Sequence, residues 1–481
     1  MIVTVLLFIL FILNFILAGT VIFLERRDVG ATWAWLLVLL FMPVIGFIIY
    51  LVFGQNLSRR KIFDWKVQEK IGIKEISQQQ IDLLRANRFP FHDERTIQYK
   101  DIVYMLLMND GSILSQDNHV DIFTDGKDKF KALFEDIKNA KNNIHLVYYI
   151  IRNDKLGNEL LELLALKAKQ GVKVRLLYDD MGTRMLLRRK FFRPLIHAGG
   201  EVASFFPARI PLVNLRVNFR NHRKLAIIDG KIGYIGGFNI GDEYLGLNQK
   251  FGYWRDTHLR IAGSAVYGMQ TRFILDWNQA SPHDIKNEES YFPDITPQGE
   301  TDIQIVSSGP DSEWEQIKNS YIKMINSAKK YIYMQTPYFI PDDSLLNALK
   351  LSALSGIDVK IMIPNKPDHM FVYWATLSHI GQLLKTGVKV YIYQKGFIHA
   401  KMLVVDGKIA SVGTANIDVR SFRLNFEVNA VLYDRKLSSR LGKIFREDME
   451  ESTELTLHDY QNRPLWIRFK ESISRLLSPI L

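Results

Sequence analysis

Two short segments of this chain carry the same reactive residue types at the same spacing, H-x-K-x-x-x-x-D. These residues are His222, Lys224 and Asp229 in the first segment and His399, Lys401 and Asp406 in the second. Each segment continues into glycine and then asparagine, at Gly236, Gly237 and Asn239 and at Gly413 and Asn416. All matched positions are displaced by 177 residues. The repetition indicates two copies of one functional unit.

An imidazole beside an ammonium group, with an amide nearby, is suited to a phosphate group, because lysine supplies positive charge and asparagine supplies hydrogen-bond donors. One histidine can attack phosphorus to form a phosphohistidine while a second protonates the departing alcohol. This double displacement needs no metal. The side chains expected to hold the phosphate oxygens are Lys224, Lys401, Asn239 and Asn416.

Each histidine also needs a partner that orients its other ring nitrogen. Asp256 in YWRDTHLRI and Glu427 in LNFEVNAVL are single acids in strand-like runs that follow the two motifs. We therefore expect each acid to orient the histidine of its own copy, Asp256 with His222 and Glu427 with His399. The alternative is an ordinary salt bridge, for instance between Asp256 and Arg255.

The aspartates of the motif, Asp229 and Asp406, belong to the same catalytic set by pattern, but their position favours another role. Leu225–Ile228 is apolar and partly β-branched, and Asp229 with the glycine after it is a strong hairpin-turn signal. Four residues of strand would carry the aspartate roughly 13 to 17 Å from the histidine. A turn or interface role is therefore favoured over direct chemistry.

The chain has 481 residues, a formal net charge of +11 and no cysteine. The charge indicates an anionic partner, which composition alone leaves open among nucleic acid, anionic lipid and a phosphorylated ligand. The absence of cysteine excludes disulfides, thiolate metal sites and a cysteine nucleophile. Nine basic residues between positions 184 and 223 lead into the first motif and suggest attraction to anionic headgroups.

The N-terminal region contains two uncharged, apolar runs, 1–24 and 31–56, separated by Glu-Arg-Arg-Asp. Each is long enough to cross a hydrocarbon layer about 30 Å thick, which predicts a transmembrane helical hairpin. A cleaved signal peptide fits less well, because no basic region precedes the first run and a second run follows at once. Basic residues after the second run, from Arg59 to Lys70, place the rest of the chain on the cytoplasmic side.

Beyond this region, strands alternate with helices in both halves, which predicts an α/β fold with parallel pairing. The tail spaces apolar residues as a helix would, and it is predicted either to lie on a membrane surface or to dock on the domain. The expected divisions are a transmembrane hairpin at 1–56, a connecting segment at 57–118, a first half at 119–281, a linker at 282–301, a second half at 302–462 and an amphipathic tail at 463–481.

The paired motifs, with G-G-x-N or G-x-x-N downstream, resemble the phospholipase D superfamily. The segments ATWAWLLVLLFMPVIGFIIYLVFG, LLYDDMG, FRNHRK, IVSSGPD and TPYFIPDD resemble the bacterial cardiolipin synthase family within it. The resemblance implies duplicated phospholipase D-type α/β/α sandwich domains. It also implies phosphatidyl transfer between two phosphatidylglycerol molecules, giving cardiolipin and glycerol without cofactor or metal. By the same resemblance, His222 is the nucleophile and His399 the general acid/base.

The resemblance further implies a multi-pass protein of the bacterial cell membrane whose partners are anionic phospholipids rather than nucleic acid. Three alternatives remain open at this point. A phospholipid hydrolase would use the same residues with water as the acceptor. A nuclease of the same superfamily is disfavoured by the apolar N-terminal region, and a membrane-anchored lipid-binding scaffold without catalysis is disfavoured by the intact paired motifs.

Overall fold

The structure is a computed structural model, and it describes residues 2–23, 29–42, 45–46, 50, 73–184, 190–207, 218–285, 289–312, 314–366, 368–476 and 478. Helices α1 (Ile2–Phe23) and α2 (Val29–Phe41) bury Val21, Leu39 and Tyr50 between them. Within the described ranges, no helix combines the length and apolar character needed to cross a membrane. The Glu-Arg-Arg-Asp turn and the basic run after position 56 lie outside the described residues.

The first half follows the predicted alternation of strand and helix. Helix α6 (Lys155–Lys169) shows why: Asp154 caps its first turn by accepting from the Gly157 N–H, and Gly171 after it has φ +90°. The elements are α3 (Ile73–Arg85), α4 (Lys100–Asp110), β1 (Ser115–Phe123), α5 (Gly126–Asn139), β2 (Asn143–Tyr148), α6 (Lys155–Lys169), β3 (Lys173–Asp179), α7 (Asp180–Arg184), α8 (Arg193–His197), β4 (Glu201–Phe205), β5 (Arg220–Asn221), β6 (Leu225–Ile228), β7 (Ile232–Gly236), β8 (Tyr253–Arg255), β9 (His258–Ala262) and α9 (Ala265–Ala280).

The second half repeats this order and adds a C-terminal helical extension. Its helices are capped in the same way, for example by Asp342 and Asp434. The elements are β10 (Thr301–Ser308), α10 (Gln316–Ser327), β11 (Tyr331–Gln335), β12 (Phe339–Ile340), α11 (Asp343–Leu354), β13 (Asp358–Pro364), α12 (Met370–Leu384), β14 (Lys389–Tyr393), β15 (Gly396–Ile398), β16 (Met402–Val405), β17 (Ile409–Gly413), β18 (Ile417–Asp418), α13 (Val419–Arg423), β19 (Asn425–Leu432), α14 (Arg435–Glu450), β20 (Ser452–Glu454), α15 (Leu457–Gln461) and α16 (Leu465–Leu476).

The two halves share one continuous mixed sheet. Along the strand order, pairing is parallel towards the outer parts, β2 with β3 and β4 and β11 with β13 and β14. The central strands pair antiparallel, including the predicted hairpin of β6 and β7. Parallel pairing is therefore confirmed for the βαβ units. The strand order is β20-β14-β13-β11-β16-β17-β19-β10-β1-β9-β7-β6-β2-β3-β4.

The halves are joined at the centre of this sheet by antiparallel pairing of β1 with β10. The apolar side chains at this junction come from both halves: Ile261, Ile303 and Val428 belong to one buried cluster. Burying a side chain of this size contributes about 1.5 to 3 kcal/mol, so the seam stabilises the halves as a unit. Two short parallel pairs also cross between the halves, β5 with β19 and β8 with β15.

The segment between the halves is anchored on the first half. Tyr291 is fully buried, packs edge-on against His145 at 5.0 Å and accepts a hydrogen bond from Arg175 at 2.9 Å. These contacts fix the path by which the chain enters β10.

Candidate active site

The two motif histidines lie at the ends of the two cross-half strand pairs. His222 follows β5, and its backbone N–H donates to the Phe426 carbonyl of β19 at 3.0 Å. His399 follows β15, and its N–H donates to the Arg255 carbonyl of β8 at 2.7 Å. Both are about nine-tenths buried. Each histidine is therefore placed by a strand of the opposite half.

The orienting carboxylates are exchanged between the halves. His222 Nδ1 lies 2.9 and 3.0 Å from the two oxygens of Glu427, and His399 Nδ1 lies 2.7 Å from Asp256 Oδ2. An ionised carboxylate only accepts, so each Nδ1 carries the proton and each Nε2 carries the lone pair. Both acids contact a histidine, but the predicted pairing within each half was wrong.

The reason is the cross-half pairing of the strands. Asn425 and Phe426 of β19 lie opposite Arg220 and Asn221 of β5, and this register brings Glu427 to the histidine that follows β5. β8 and β15 repeat the arrangement for Asp256 and His399. A carboxylate that follows a motif in sequence is therefore delivered to the other motif in space.

The motif lysines are buried beside the histidines. Lys224 Nζ donates to the His222 carbonyl at 2.5 Å, and Lys401 Nζ donates to the His399 carbonyl at 2.6 Å. Burial, together with the mutual repulsion of the two ammonium groups, lowers the pKa of Lys224 to about 7. Burial lowers the pKa of Lys401 to about 8, against the raising effect of Asp256 and Glu427. A bound anion would restore full charge to both.

Burial holds both histidines in the neutral form at pH 7. Burial lowers the pKa of His222 to about 4, although Glu427 acts in the opposite direction. Burial and Lys401 lower the pKa of His399 to about 4. A neutral imidazole is the form that can act as a nucleophile. Aromatic rings flank both: Tyr149 contacts His222 with ring centroids 4.9 Å apart, and Trp254 lies 5.2 Å from His399.

The asparagines after the two motifs are buried near the turns that follow β7 and β17. Asn239 accepts from the Ile150 N–H at 3.2 Å and donates to the Tyr244 hydroxyl at 3.1 Å, and among the described residues its second amide hydrogen has no acceptor. Asn416 lies in the corresponding turn, and its backbone N–H meets the Ser421 hydroxyl at 3.2 Å. Their assignment to the phosphate oxygens stays a prediction.

The motif aspartates lie in the hairpin turns, with φ +54° at both. The Asp229 carboxylate accepts from three consecutive backbone N–H groups at the start of β2, those of residues 141 to 143. The Asp406 carboxylate does the same at the start of β11, with residues 329 to 331. These contacts fit the turn and interface role that the sequence favours, and they tie each motif hairpin to its neighbouring strand.

Two hydroxyl groups that contact Glu427 were not predicted from the sequence. Thr414 donates to it at 2.6 Å and Ser421 at 2.9 Å. Burial acts to raise the pKa of Glu427, but His222 and Lys224 together hold it below its ordinary value. Thr414 lies between the glycine and the asparagine of the second motif, which was the available signal. Ser421 carried no signal in the sequence.

Part of the basic approach to the first motif serves the interior instead of a ligand. Arg223 is buried and donates to both oxygens of Asp276 at 2.8 and 2.9 Å. Arg220 is 4% exposed and lies 3.4 Å from Asp179. Attraction to headgroups was therefore the wrong interpretation for these two arginines. Most of the remaining basic residues before the motif fall in ranges that are not described.

Family comparisons agree with this geometry. The family model described as "Cardiolipin synthase, PLD-like domain" matches residues 133–260 and 321–449, one match for each half. A model described as "Phospholipase_D-nuclease N-terminal" matches residues 12–55. A cardiolipin synthase of Listeria monocytogenes serotype 4a (strain HCC23) is 61% identical over 477 residues, which is 99% of both chains.

The chain belongs to the cardiolipin synthase family. The major cardiolipin synthase ClsA of Bacillus subtilis (strain 168) is 60% identical over 479 residues and 99% of each chain. Members of this family are phosphatidyltransferases of the phospholipase D superfamily, and this chain is one of them. The crystal structure of a phosphatidylserine synthase of Haemophilus influenzae Rd KW20 shares the fold, with a TM-score of 0.61 at 15% identity, over 81% of this chain and 100% of that one.

Proposed function

We propose that this cardiolipin synthase moves a phosphatidyl group between two phosphatidylglycerol molecules through a phosphohistidine. The observation that supports this most strongly is the exchanged pair of carboxylates, which fixes both Nδ1 protons and leaves both Nε2 atoms free to react. Two histidines prepared in the same way are what a double displacement at one phosphorus requires.

In the first step, Nε2 of His222 attacks phosphorus and the bond from phosphorus to the headgroup glycerol breaks. His399, protonated at Nε2, gives its proton to the departing glycerol oxygen. Arrival of the phosphodiester anion raises the pKa of His399, because a negative charge beside it favours the imidazolium form. Lys224 and Lys401 neutralise the charge that develops on the phosphate oxygens.

In the second step, His399 takes the proton from a hydroxyl of the second phosphatidylglycerol. The resulting oxygen attacks phosphorus, the bond from phosphorus to nitrogen breaks, and its electron pair returns to Nε2 of His222. The products are cardiolipin and the regenerated histidines. Glycerol has left after the first step. Because one phosphodiester bond is exchanged for another, the reaction needs no nucleotide or other source of energy.

The difference between the carboxylates supports His222 as the nucleophile. Glu427 accepts from two hydroxyl groups besides His222, whereas Asp256 accepts from the Thr257 N–H besides His399. A carboxylate with more donors stabilises a neighbouring imidazolium less. Burial lowers the pKa of both histidines to about 4; within that common range, the extra donors on Glu427 favour the neutral form of His222 and so its role as the nucleophile.

The test uses purified full-length protein and phosphatidylglycerol labelled in the headgroup and in the acyl chains. Cardiolipin and free glycerol in equal amounts are expected, together with acid-labile, acyl-labelled protein after rapid quenching. The label should map to the peptide that contains His222. Phosphatidic acid without cardiolipin would contradict the transferase and identify a hydrolase.

The N-terminal helices extend the proposal to a membrane hairpin with the catalytic part on the cytoplasmic side. Support comes from the two uncharged runs, from the family match at 12–55 and from the outward phenylalanines of α1, such as Phe15, which is 76% exposed. Because the chain has no cysteine, Arg27→Cys and Lys443→Cys each give one labelling site. A membrane-impermeant maleimide should label the first in intact cells and the second only after lysis, and the reverse order would contradict this topology.

A further inference from the structure

The C-terminal helix α16 packs on the second half through its polar face. Glu471 and Ser474 are 3% and 1% exposed. Arg463 forms a double hydrogen bond with Glu471, at 2.8 and 2.6 Å, and the Ser478 hydroxyl lies 3.3 Å from His379 of α12. Docking on the domain, one of the two predictions for this tail, is thus confirmed.

The opposite face of α16 is apolar and exposed. Positions 465, 469, 473 and 476 recur at helical spacing and therefore share one side of the helix. Trp466 and Phe469 stack with ring centroids 5.4 Å apart. The exposed side chains are Leu465 at 80%, Trp466 at 63%, Phe469 at 54%, Ile473 at 42% and Leu476 at 76%. A helix on the surface of a soluble domain has the reverse orientation, with its apolar side inward.

Exposed apolar residues are also present on the neighbouring helix α12. Lys470 lies over the rings of Trp466 and Trp374, at 5.5 and 5.2 Å, and so joins α16 to α12. At the start of α12, Met370 and Phe371 are 54% and 56% exposed. We call the seven exposed apolar residues of α12 and α16 the apolar ridge: Met370, Phe371, Leu465, Trp466, Phe469, Ile473 and Leu476.

The end of the ridge on α12 adjoins the catalytic groups. Asp368, two residues before Met370, accepts a hydrogen bond from the Tyr338 hydroxyl. Tyr338 leads into β12, where Phe339 lies opposite Ile417, the residue that follows Asn416 of the second motif. The ridge therefore extends from beside the phosphate site to the C-terminal helix.

We propose that the apolar ridge inserts into the interfacial layer of an anionic phospholipid bilayer and holds the active site against it. Stacked aromatic rings and leucines on one side of a helix, with lysine and arginine beside them, are the composition of interfacial helices. The cations are Arg468, Lys470 and Arg475, while the acid of the helix, Glu471, is buried in its ion pair. The inference rests on the proposed function only in taking a membrane lipid as the substrate.

A second copy of the chain is the less favoured occupant. A symmetric contact would bring the same patch of both copies together, so the three cations of α16 would face three identical cations. An anionic lipid surface neutralises these charges instead.

The first experiment measures depth in the bilayer. Single cysteines are introduced at Phe469→Cys and Leu476→Cys, with Leu166→Cys as the control, a helical leucine that is 51% exposed on α6 of the first half. Each full-length variant carries an environment-sensitive fluorophore in phosphatidylglycerol nanodiscs with spin-labelled lipid. Quenching at 469 and 476 should exceed that at 166 by about three-fold. Equal quenching at all three sites, or disulfide dimers of Phe469→Cys in place of quenching, would overturn the proposal.

The second experiment separates the ridge from the chemistry. Trp466→Ser with Phe469→Ser should lower turnover of vesicle-borne phosphatidylglycerol about ten-fold and leave turnover of a monomeric short-chain analogue unchanged. Leu166→Ser should change neither rate. Equal loss on both substrates would overturn the interfacial role. His222→Ala should keep the quenching pattern while losing activity, so failure of the ridge and failure of the proposed function give different results.

Discussion

The two halves hold their carboxylates in different ways, although the motifs themselves are nearly identical. Thr414 of the second half donates to Glu427 at 2.6 Å. The equivalent position of the first half is Gly237, where a Cβ atom would lie 2.0 Å from an oxygen of Asp256. The shorter acid therefore occupies the space of a missing side chain, and the longer acid is held by a hydroxyl group.

In the proposed mechanism, this difference gives the duplicated site two roles. The exchange of carboxylates makes each histidine depend on the opposite half, so neither half is complete by itself. The number of donors to each carboxylate then sets how readily its histidine is protonated. Glu427 has more neutral donors, which suits a nucleophile at His222, and Asp256 has fewer, which suits an acid at His399.

The largest effect is expected from removing the histidines themselves. His222→Ala and His399→Ala should each lower turnover of phosphatidylglycerol by about ten-thousand-fold or more. A phosphatidyl ester of p-nitrophenol has a leaving group that departs without a proton. It should therefore restore phosphoenzyme formation in His399→Ala and not in His222→Ala, as measured by release of nitrophenolate. Restoration in His222→Ala instead would reverse the assigned roles.

The next largest effect is expected from the carboxylate variants, which test whether the carboxylates are exchanged between the halves. Glu427→Gln and Asp256→Asn should each lower turnover by about a hundred- to ten-thousand-fold, because the amide neither fixes the tautomer nor stabilises the imidazolium. The nitrophenyl ester should largely restore phosphoenzyme formation in Asp256→Asn, because the histidine that Asp256 contacts is the proposed acid. Phosphoenzyme formation in Glu427→Gln should stay low with the same ester, because the histidine that Glu427 contacts is the proposed nucleophile. Pairing within each half would give the opposite pattern.

A smaller effect is expected at the hydroxyl group that distinguishes the halves. Thr414→Val should lower turnover about three- to ten-fold through the lost hydrogen bond. It leaves the Glu427 charge less compensated, so the pKa of His222 rises and the acid limb of the pH–rate profile moves to higher pH. Thr257→Val is the matched variant of the first half, since it keeps the backbone N–H that bonds Asp256. An acid limb that moves in Thr257→Val as much as in Thr414→Val would remove the distinction between the halves.

The smallest effect on chemistry is expected where the halves are alike. Asp229→Asn and Asp406→Asn should each lower the free energy of unfolding by about 1 to 3 kcal/mol, because the amide accepts more weakly from the backbone groups. Asparagine tolerates the left-handed backbone, so the turn itself remains. Denaturant titration should show similar losses for both, with an unchanged pH–rate profile. A shifted pH–rate profile would show that these aspartates take part in the chemistry.

Local patterns predicted most of the fold and most of the residues that lie together at the candidate site. The alternation of strands with helices predicted the βαβ units of both halves, and the Asp-Gly turn placed the hairpin of β6 and β7. The repeat identified the histidines and lysines, and single acids in strand-like runs identified Asp256 and Glu427. Each of these signals lies within a few residues of its structural consequence.

The pairing of acid with histidine was not predictable in the same way. It depends on cross-half strand pairs of two or three residues, whose members are about 200 positions apart in β5 and β19 and more than 140 apart in β8 and β15. The mixed sheet, the burial of Arg220 and Arg223 and the contact of Ser421 with Glu427 also arise from tertiary packing. Hydrophobic periodicity and motif spacing are local features, so they do not predict contacts between residues far apart in the sequence.

The exchange of carboxylates is tested most directly by the Nδ1 protons of the two histidines. In the full-length protein with labelled histidine, NMR should show two downfield Nδ1–H resonances, assigned through His222→Gln and His399→Gln. Asp256→Asn should remove or shift the resonance of His399 and leave that of His222 in place, and Glu427→Gln should do the reverse. Loss of the His222 resonance in Asp256→Asn would contradict the account.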